Sequence, residues 1–169
     1  ISNNKNARAL QRAKDYDAKA VFIDHRGKPR GKHEREIVIE LDAMRVDLIV
    51  LAGYLRMLTK DFVNKYKNKI INIHPALLPK YGGKGMHGLN VHRAVLESGD
   101  KESGCSVHFV TEDVDGGQII ARMRVPVKLD DTPETLQARI LMAEHLLLPM
   151  VIQWIALGKV DPRKVKTVD

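Results

Sequence analysis

The chain has 169 residues, 44% of them hydrophobic, a formal net charge of +7 and one cysteine. That length buries a sizeable core within one domain, and a single cysteine excludes an internal disulfide and fits a reducing, cytoplasmic setting. The positive charge suits anionic partners, but the basic residues are spread along the chain without interleaved aromatics, which argues against a nucleic-acid stacking platform.

In chain order, Asn6–Lys14 carries Ala7, Leu10 and Ala13 near helical spacing, and Ala20–Ile23 is a short apolar run that predicts a strand. Gly27, Pro29 and Gly31 mark Asp24–Lys32 as loop. His33–Met44 predicts a helix with Ile37, Val38, Leu41 and Met44 on one face. Leu48–Leu51 reads as a parallel strand covered on both faces, and Thr59 as the cap of a short helix through Tyr66. Leu89–Leu96 predicts a helix ending before Gly99. In the next strand Cys105, Val107 and Phe109 point one way, Ser106 and His108 the other. Asp115–Gly117 is a turn before a strand over Gln118–Val127. Thr132, Pro133 and Glu134 open a helix that is interrupted or kinked at Pro149 and resumes to Leu157. The apolar run Leu146–Leu157 is too short to span a bilayer, and Val160–Asp169 reads as a polar tail. Strands alternating with helices, then a strand pair across a tight turn, predict an α/β fold: a mostly parallel sheet, helices on both faces and a late antiparallel portion. There is no sign of a repeat or of a second domain over residues 1–169.

The stretch Lys69–Gly83, KIINIHPALLPKYGG, organises this pattern. Side chains alternate along a strand, so Asn72 and His74 share a side, roughly 7 Å apart along the backbone. Pro75 ends the ladder. An amide donor and an imidazole thus stand at the carboxyl end of a strand, where open α/β sheets bind ligands. An amide can donate to an oxyanion and a histidine can move a proton near neutral pH. Read without other context, the same residues are a polar strand end, and Asp115 is a turn aspartate with Glu112 and Asp113 as neighbouring acids.

NIHPALLPKY, together with SVHFVTEDVDGG downstream, resembles the signature of the formyltransferases that use 10-formyltetrahydrofolate, and is most similar to those acting on phosphoribosylglycinamide. The resemblance runs from about Ser2 to about Lys159. It implies a Rossmann-like formyltransferase fold and transfer of a formyl group from 10-formyltetrahydrofolate, as cosubstrate, to the amine of phosphoribosylglycinamide in purine synthesis, with no metal. The family's catalytic positions match Asn72, His74 and Asp115; Asp115 is expected to hold His74 and raise its pKa. The resemblance also implies folate contacts from Arg30, from Leu55, Arg56, Met57 and Leu58, and from Asn72. Substrate contacts are implied at Ile73 and Pro75 through backbone groups, at Ser106 and His108, and at Glu144 to the ribose.

The implied partners are these small molecules, with no nucleic acid and no membrane, in a monomer or homodimer. A formyltetrahydrofolate hydrolase, a methionyl-tRNA formyltransferase and a non-catalytic folate-binding relative are the alternatives. Family members open with a strand, a Gly-Ser-Asn phosphate loop and a helix. This sequence starts at ISNNKNARAL, so roughly 30 further upstream residues, the size of a strand–loop–helix unit, are expected in the natural protein.

Overall fold

A computed structural model describes residues 1–160; the remainder of the predicted polar tail lies outside the described residues. The chain divides into two compact units, Ile1–Asp47 with Leu58–Phe62, and Leu48–Met57 with the chain from Val63 onward.

The first unit holds helices α1 (Arg8–Asp15) and α2 (Arg30–Ala43). The predicted strand at Ala20–Ile23 is reduced to one parallel bridge between Ser2 and Phe22, because Ser2 alone pairs with it, through Val21 O and Ile23 N. Helix α2 begins three residues before the predicted start. Pro29 has a backbone φ of −54°, and its carbonyl accepts from the N–H groups of Lys32 and His33, so the proline nucleates the first turn. The carboxylate of buried Glu34 accepts from the backbone N–H and the hydroxyl of Thr59. Thr59 Oγ1 in turn accepts from Phe62 N at 3.3 Å and caps helix α3 (Lys60–Lys65).

The second unit is built on a sheet of strands β1 (Ile49–Leu51), β2 (Ile70–His74), β3 (Glu102–Phe109) and β4 (Ile119–Pro126), in the order β1-β2-β3-β4. The α/β class stands, but the sheet is mixed rather than mostly parallel. Only β1 and β2 are parallel; β2–β3 and β3–β4 are antiparallel. A parallel pair needs a crossover connection, and the short link Val110–Gln118 permits only an antiparallel return. In the β2–β3 register, Asn72 lies opposite His108 and His74 opposite Ser106, and in β3–β4 Ser106 lies opposite Arg122. These five side chains share one face. Ile71, Cys105, Val107 and Phe109 occupy the other face and form the core with Leu136, Ile140 and Leu147.

That core is closed by helices α4 (Leu89–Glu97) and α5 (Pro133–Ala156). Helix α5 starts in a reciprocal cap: Thr132 Oγ1 accepts from Thr135 N, and Thr135 Oγ1 accepts from Thr132 N. Its buried side chains, Leu136, Ile140, Ala143, Leu147 and Val151, recur every three or four residues and pack against β3 and β4. The helix runs through Pro149 without a break. Pro149 is exposed while Leu147 and Val151 on either side are buried, so the proline lies on the side of the helix away from the core. By length and composition α5 is long and apolar enough to cross a membrane; one side of it packs on the sheet, and Leu141, Met142 and Leu146 are exposed.

Candidate active site

The strand β2 ends at His74, and Pro75 turns the chain into the segment Pro75–Gly83, which includes a cis Leu78–Pro79 bond. This segment is tied down from the sheet below. Ser106 Oγ donates to Ala76 O at 2.7 Å and accepts from Leu78 N at 3.0 Å. Arg122 donates to Leu78 O through Nε and Nη2, at 3.0 and 2.8 Å. The segment is thereby held over the face that carries Asn72, His74 and His108.

His74 is buried, 4% exposed. Its Nε2 lies 2.7 Å from the carbonyl oxygen of Tyr81. A carbonyl only accepts, so Nε2 carries the proton in the neutral ring, and Nδ1 presents its lone pair. Nδ1 stands 3.5 Å from Asp115 Oδ2. Asp115 sits in left-handed backbone, φ 54°, a conformation that aspartate tolerates better than most residues. Its Oδ2 accepts from Gly83 N at 2.9 Å and its Oδ1 lies 3.5 Å from His108 Nε2. His108 Nδ1 donates to Phe109 O at 2.9 Å, so in the neutral ring Nε2 accepts from the Asn72 amide nitrogen at 3.3 Å. The four side chains form one chain of contacts, Asn72–His108–Asp115–His74.

Placement of Asp115 rests on close packing of the turn. A Cβ on Gly117 would lie 1.7 Å from Phe109 O, the same carbonyl that orients His108. Only glycine fits there.

Burial pushes the His74 pKa down; the charge of Asp115 and the Tyr81 carbonyl pull it up, and nearby His108 pulls it down. The sum lies below the ordinary imidazole value. The predicted increase is therefore corrected: Asp115 acts in the expected direction, but removing the ring from water costs the charged form more. Burial raises the pKa of Asp115, but the His108 contact, the Gly83 N–H and the charges of His74 and His108 together leave it below the usual carboxylate range. In the neutral range the site thus pairs an ionised carboxylate with a neutral imidazole.

The other predicted site residues do not enter this run of contacts. Ser106 is fully buried and its hydroxyl bonds to the Ala76 and Leu78 backbone, so it props the loop. Ile73 packs its side chain on the α5 side of the sheet, and Pro75 is half-buried. Leu55 and Met57 are exposed, 77% and 50%, and Arg56 buries Nε with no hydrogen-bond partner. Arg30, exposed at the start of α2, and Leu58 belong to the first compact unit. Glu144 projects from α5 towards Cys105, on the core side of the sheet. Burial raises its pKa, and burial followed by the Glu144 charge pushes the Cys105 thiol up to about 12. The thiol is inert at neutral pH. Among the described residues no group of His, Cys, Asp and Glu is arranged to hold a metal ion.

Sequence reasoning missed the Tyr81 carbonyl, the Gly83 N–H and Arg122. Two of these are backbone groups, which leave no side-chain signature. It also passed over His92, buried on α4, whose pKa is lowered by burial and by nearby His74.

Residues 1–152 match the formyl transferase family. The chain is 41% identical over 160 residues to phosphoribosylglycinamide formyltransferase of Escherichia coli K12, covering 94% of this chain and 73% of that protein. It is 40% identical over 162 residues to the human trifunctional purine biosynthetic protein adenosine-3, covering 95% of this chain and 16% of that protein. The crystal structure of glycinamide ribonucleotide transformylase 1 from Symbiobacterium toebii superposes with a TM-score of 0.89 at 39% identity, over all of this chain and 79% of that one.

Proposed function

The chain belongs to the formyl transferase family, and from that premise we propose that it transfers a formyl group from 10-formyltetrahydrofolate to the amine of phosphoribosylglycinamide, by direct acyl transfer in purine synthesis. The observation that carries the reading is the run of contacts from Asn72 through His108 and Asp115 to His74.

The folate cosubstrate supplies an electrophilic formyl carbon, and attack by the amine places negative charge on the formyl oxygen. An amide nitrogen carries two donors. His108 takes one from Asn72, which fixes the amide so that the second N–H faces the developing oxyanion. Neutral His74 accepts the proton that the amine loses on forming the new C–N bond, at Nδ1, where the lone pair lies. The resulting imidazolium stands beside the Asp115 carboxylate, which offsets its burial. The same proton is then returned to the folate nitrogen as the old C–N bond breaks. A low resting pKa suits His74 to the first step, and Asp115 keeps the charged intermediate state within reach. The setting proposed for this reaction is cytoplasmic.

Incubating the full natural protein with both substrates and following tetrahydrofolate and the formylated amide by mass tests the reaction. Equal release of the two products is expected. Release of formate with the amine unchanged, or no release of tetrahydrofolate, overturns the reading.

The role given to Asp115 has its own test. Asp115→Asn keeps an oxygen for the Gly83 N–H but removes the charge that supports protonated His74. The midpoint of the His74 NMR titration should move further below that of the wild type, and turnover should fall by roughly tenfold to a hundredfold. An unchanged midpoint means that the carboxylate does not act on His74.

A further inference from the structure

Tyr81 occupies left-handed backbone, φ 58°, a region that costs a bulky residue energy and persists only where surrounding contacts enforce it. Four contacts do so. The phenol donates to Asp100 Oδ2 at 2.7 Å and shares a hydrogen bond with Ser98 Oγ, both just beyond the end of α4. Lys80 Nζ pairs with the same Asp100 carboxylate and sits 5.0 Å from the Tyr81 ring centroid. The ring itself packs against the core. From this anchored residue the main-chain carbonyl turns to His74 Nε2.

We propose that Tyr81 is a positioning residue: its phenol, tied to Ser98 and Asp100, holds its carbonyl against His74 Nε2–H and so commits His74 to exchanging its proton at Nδ1, beside Asp115. A neutral imidazole in water divides its proton between both nitrogens. Here the fixed acceptor at Nε2 selects one tautomer, as the partner of the second nitrogen generally does. Were the ring to carry its neutral proton on Nδ1 instead, no lone pair would face Asp115 and the amine proton would have nowhere to go on that side. The contacts that set this choice begin at exposed Lys80 and Ser98 and half-buried Asp100, and act on reacting atoms that none of those side chains touches. The catalytic consequence rests on the function proposed above; the tautomer assignment does not.

The test is ring-nitrogen NMR of histidine-labelled protein, read with the pH profile of kcat, for Tyr81→Phe and Asp100→Ala. Tyr81→Phe retains the ring and the carbonyl and loses only the phenol anchor; Asp100→Ala changes the outer end of the anchor and keeps the folded core intact. The wild-type His74 signal should be that of the Nε2–H tautomer. Both variants should show a mixture of tautomers and a displaced pH midpoint. Turnover should fall by roughly tenfold, as for a displaced catalytic group, with KM for each substrate within about twofold of wild type. A wild-type tautomer signature and pH midpoint in both variants overturns the proposal, even if melting temperature falls. A shifted tautomer in a protein whose wild type shows no formyl transfer upholds the positioning of His74 and removes the function instead.

Discussion

His74→Ala should lower kcat by at least about a hundredfold, the usual contribution of a positioned acid–base group, while binding of a folate analogue changes little. The imidazole is 4% exposed and its Nδ1 stands 3.5 Å from Asp115 Oδ2, so its removal takes away the proposed acceptor of the amine proton. Truncation also leaves the Tyr81 carbonyl without its donor, so some loss of stability accompanies it. His74→Gln separates the two effects, because it fills most of the space and can still donate to that carbonyl. Stopped-flow or steady-state turnover, calorimetry with the folate analogue and thermal melts on both variants decide the matter. Turnover within threefold of wild type (roughly 0.7 kcal/mol of barrier) in either variant would remove His74 from the mechanism.

Gly117→Ala should be the most damaging single-methyl change in the turn that carries Asp115. The added carbon would stand 1.7 Å from Phe109 O and 2.7 Å from its carbonyl carbon, and neither atom can step aside as a flexible side chain would. Phe109 closes strand β3, its N–H donates to Gln118 O, and its carbonyl holds His108. Relief of the clash must therefore part the β3–β4 connection. We expect a loss of roughly 3–5 kcal/mol, the range of severe backbone or core disruption, measured by denaturant unfolding, and turnover lost with it. The surface change Val114→Ala in the same turn is the matching control and should fall within about 0.5 kcal/mol of wild type. A Gly117→Ala protein with wild-type midpoint would show that the turn is free to move and that Asp115 is not held by packing.

The face shared by Asn72 and His74 was legible because β2 is a regular strand in which alternation and geometry agree. The opposed faces of β3 were legible for the same reason. The helix start at Thr132–Pro133–Glu134 was marked by capping chemistry, which is local. What alternation cannot supply is which strand lies beside which. His108 gains its role from standing opposite Asn72 across an antiparallel ladder, and nothing near His108 in the chain announces that. The ladder shifts register between Val107 and His108 as it passes to β4, which no period-two pattern anticipates. The effect of Asp115 on the His74 pKa has the expected sign, but the net shift is downward because burial, which a sequence does not display, outweighs it. The bonds of Ser106 were hidden for a related reason: its hydroxyl lies on the expected face, but its partners are backbone groups of the Pro75–Gly83 segment.

The pairing of β2 with β3 makes catalysis a gauge of correct assembly. Sliding β3 by one residue would exchange its two sides, bringing Cys105 and Val107 towards Asn72 and sending His108 and Ser106 into the apolar layer under α5. Such a molecule would bury two polar groups and uncover the surface that α5 needs, so it has no stable compact form to rest in. Misfolded material should accordingly leave solution rather than persist as a soluble, sluggish fraction. Activity per milligram of soluble protein should then stay constant as refolding yield varies from batch to batch.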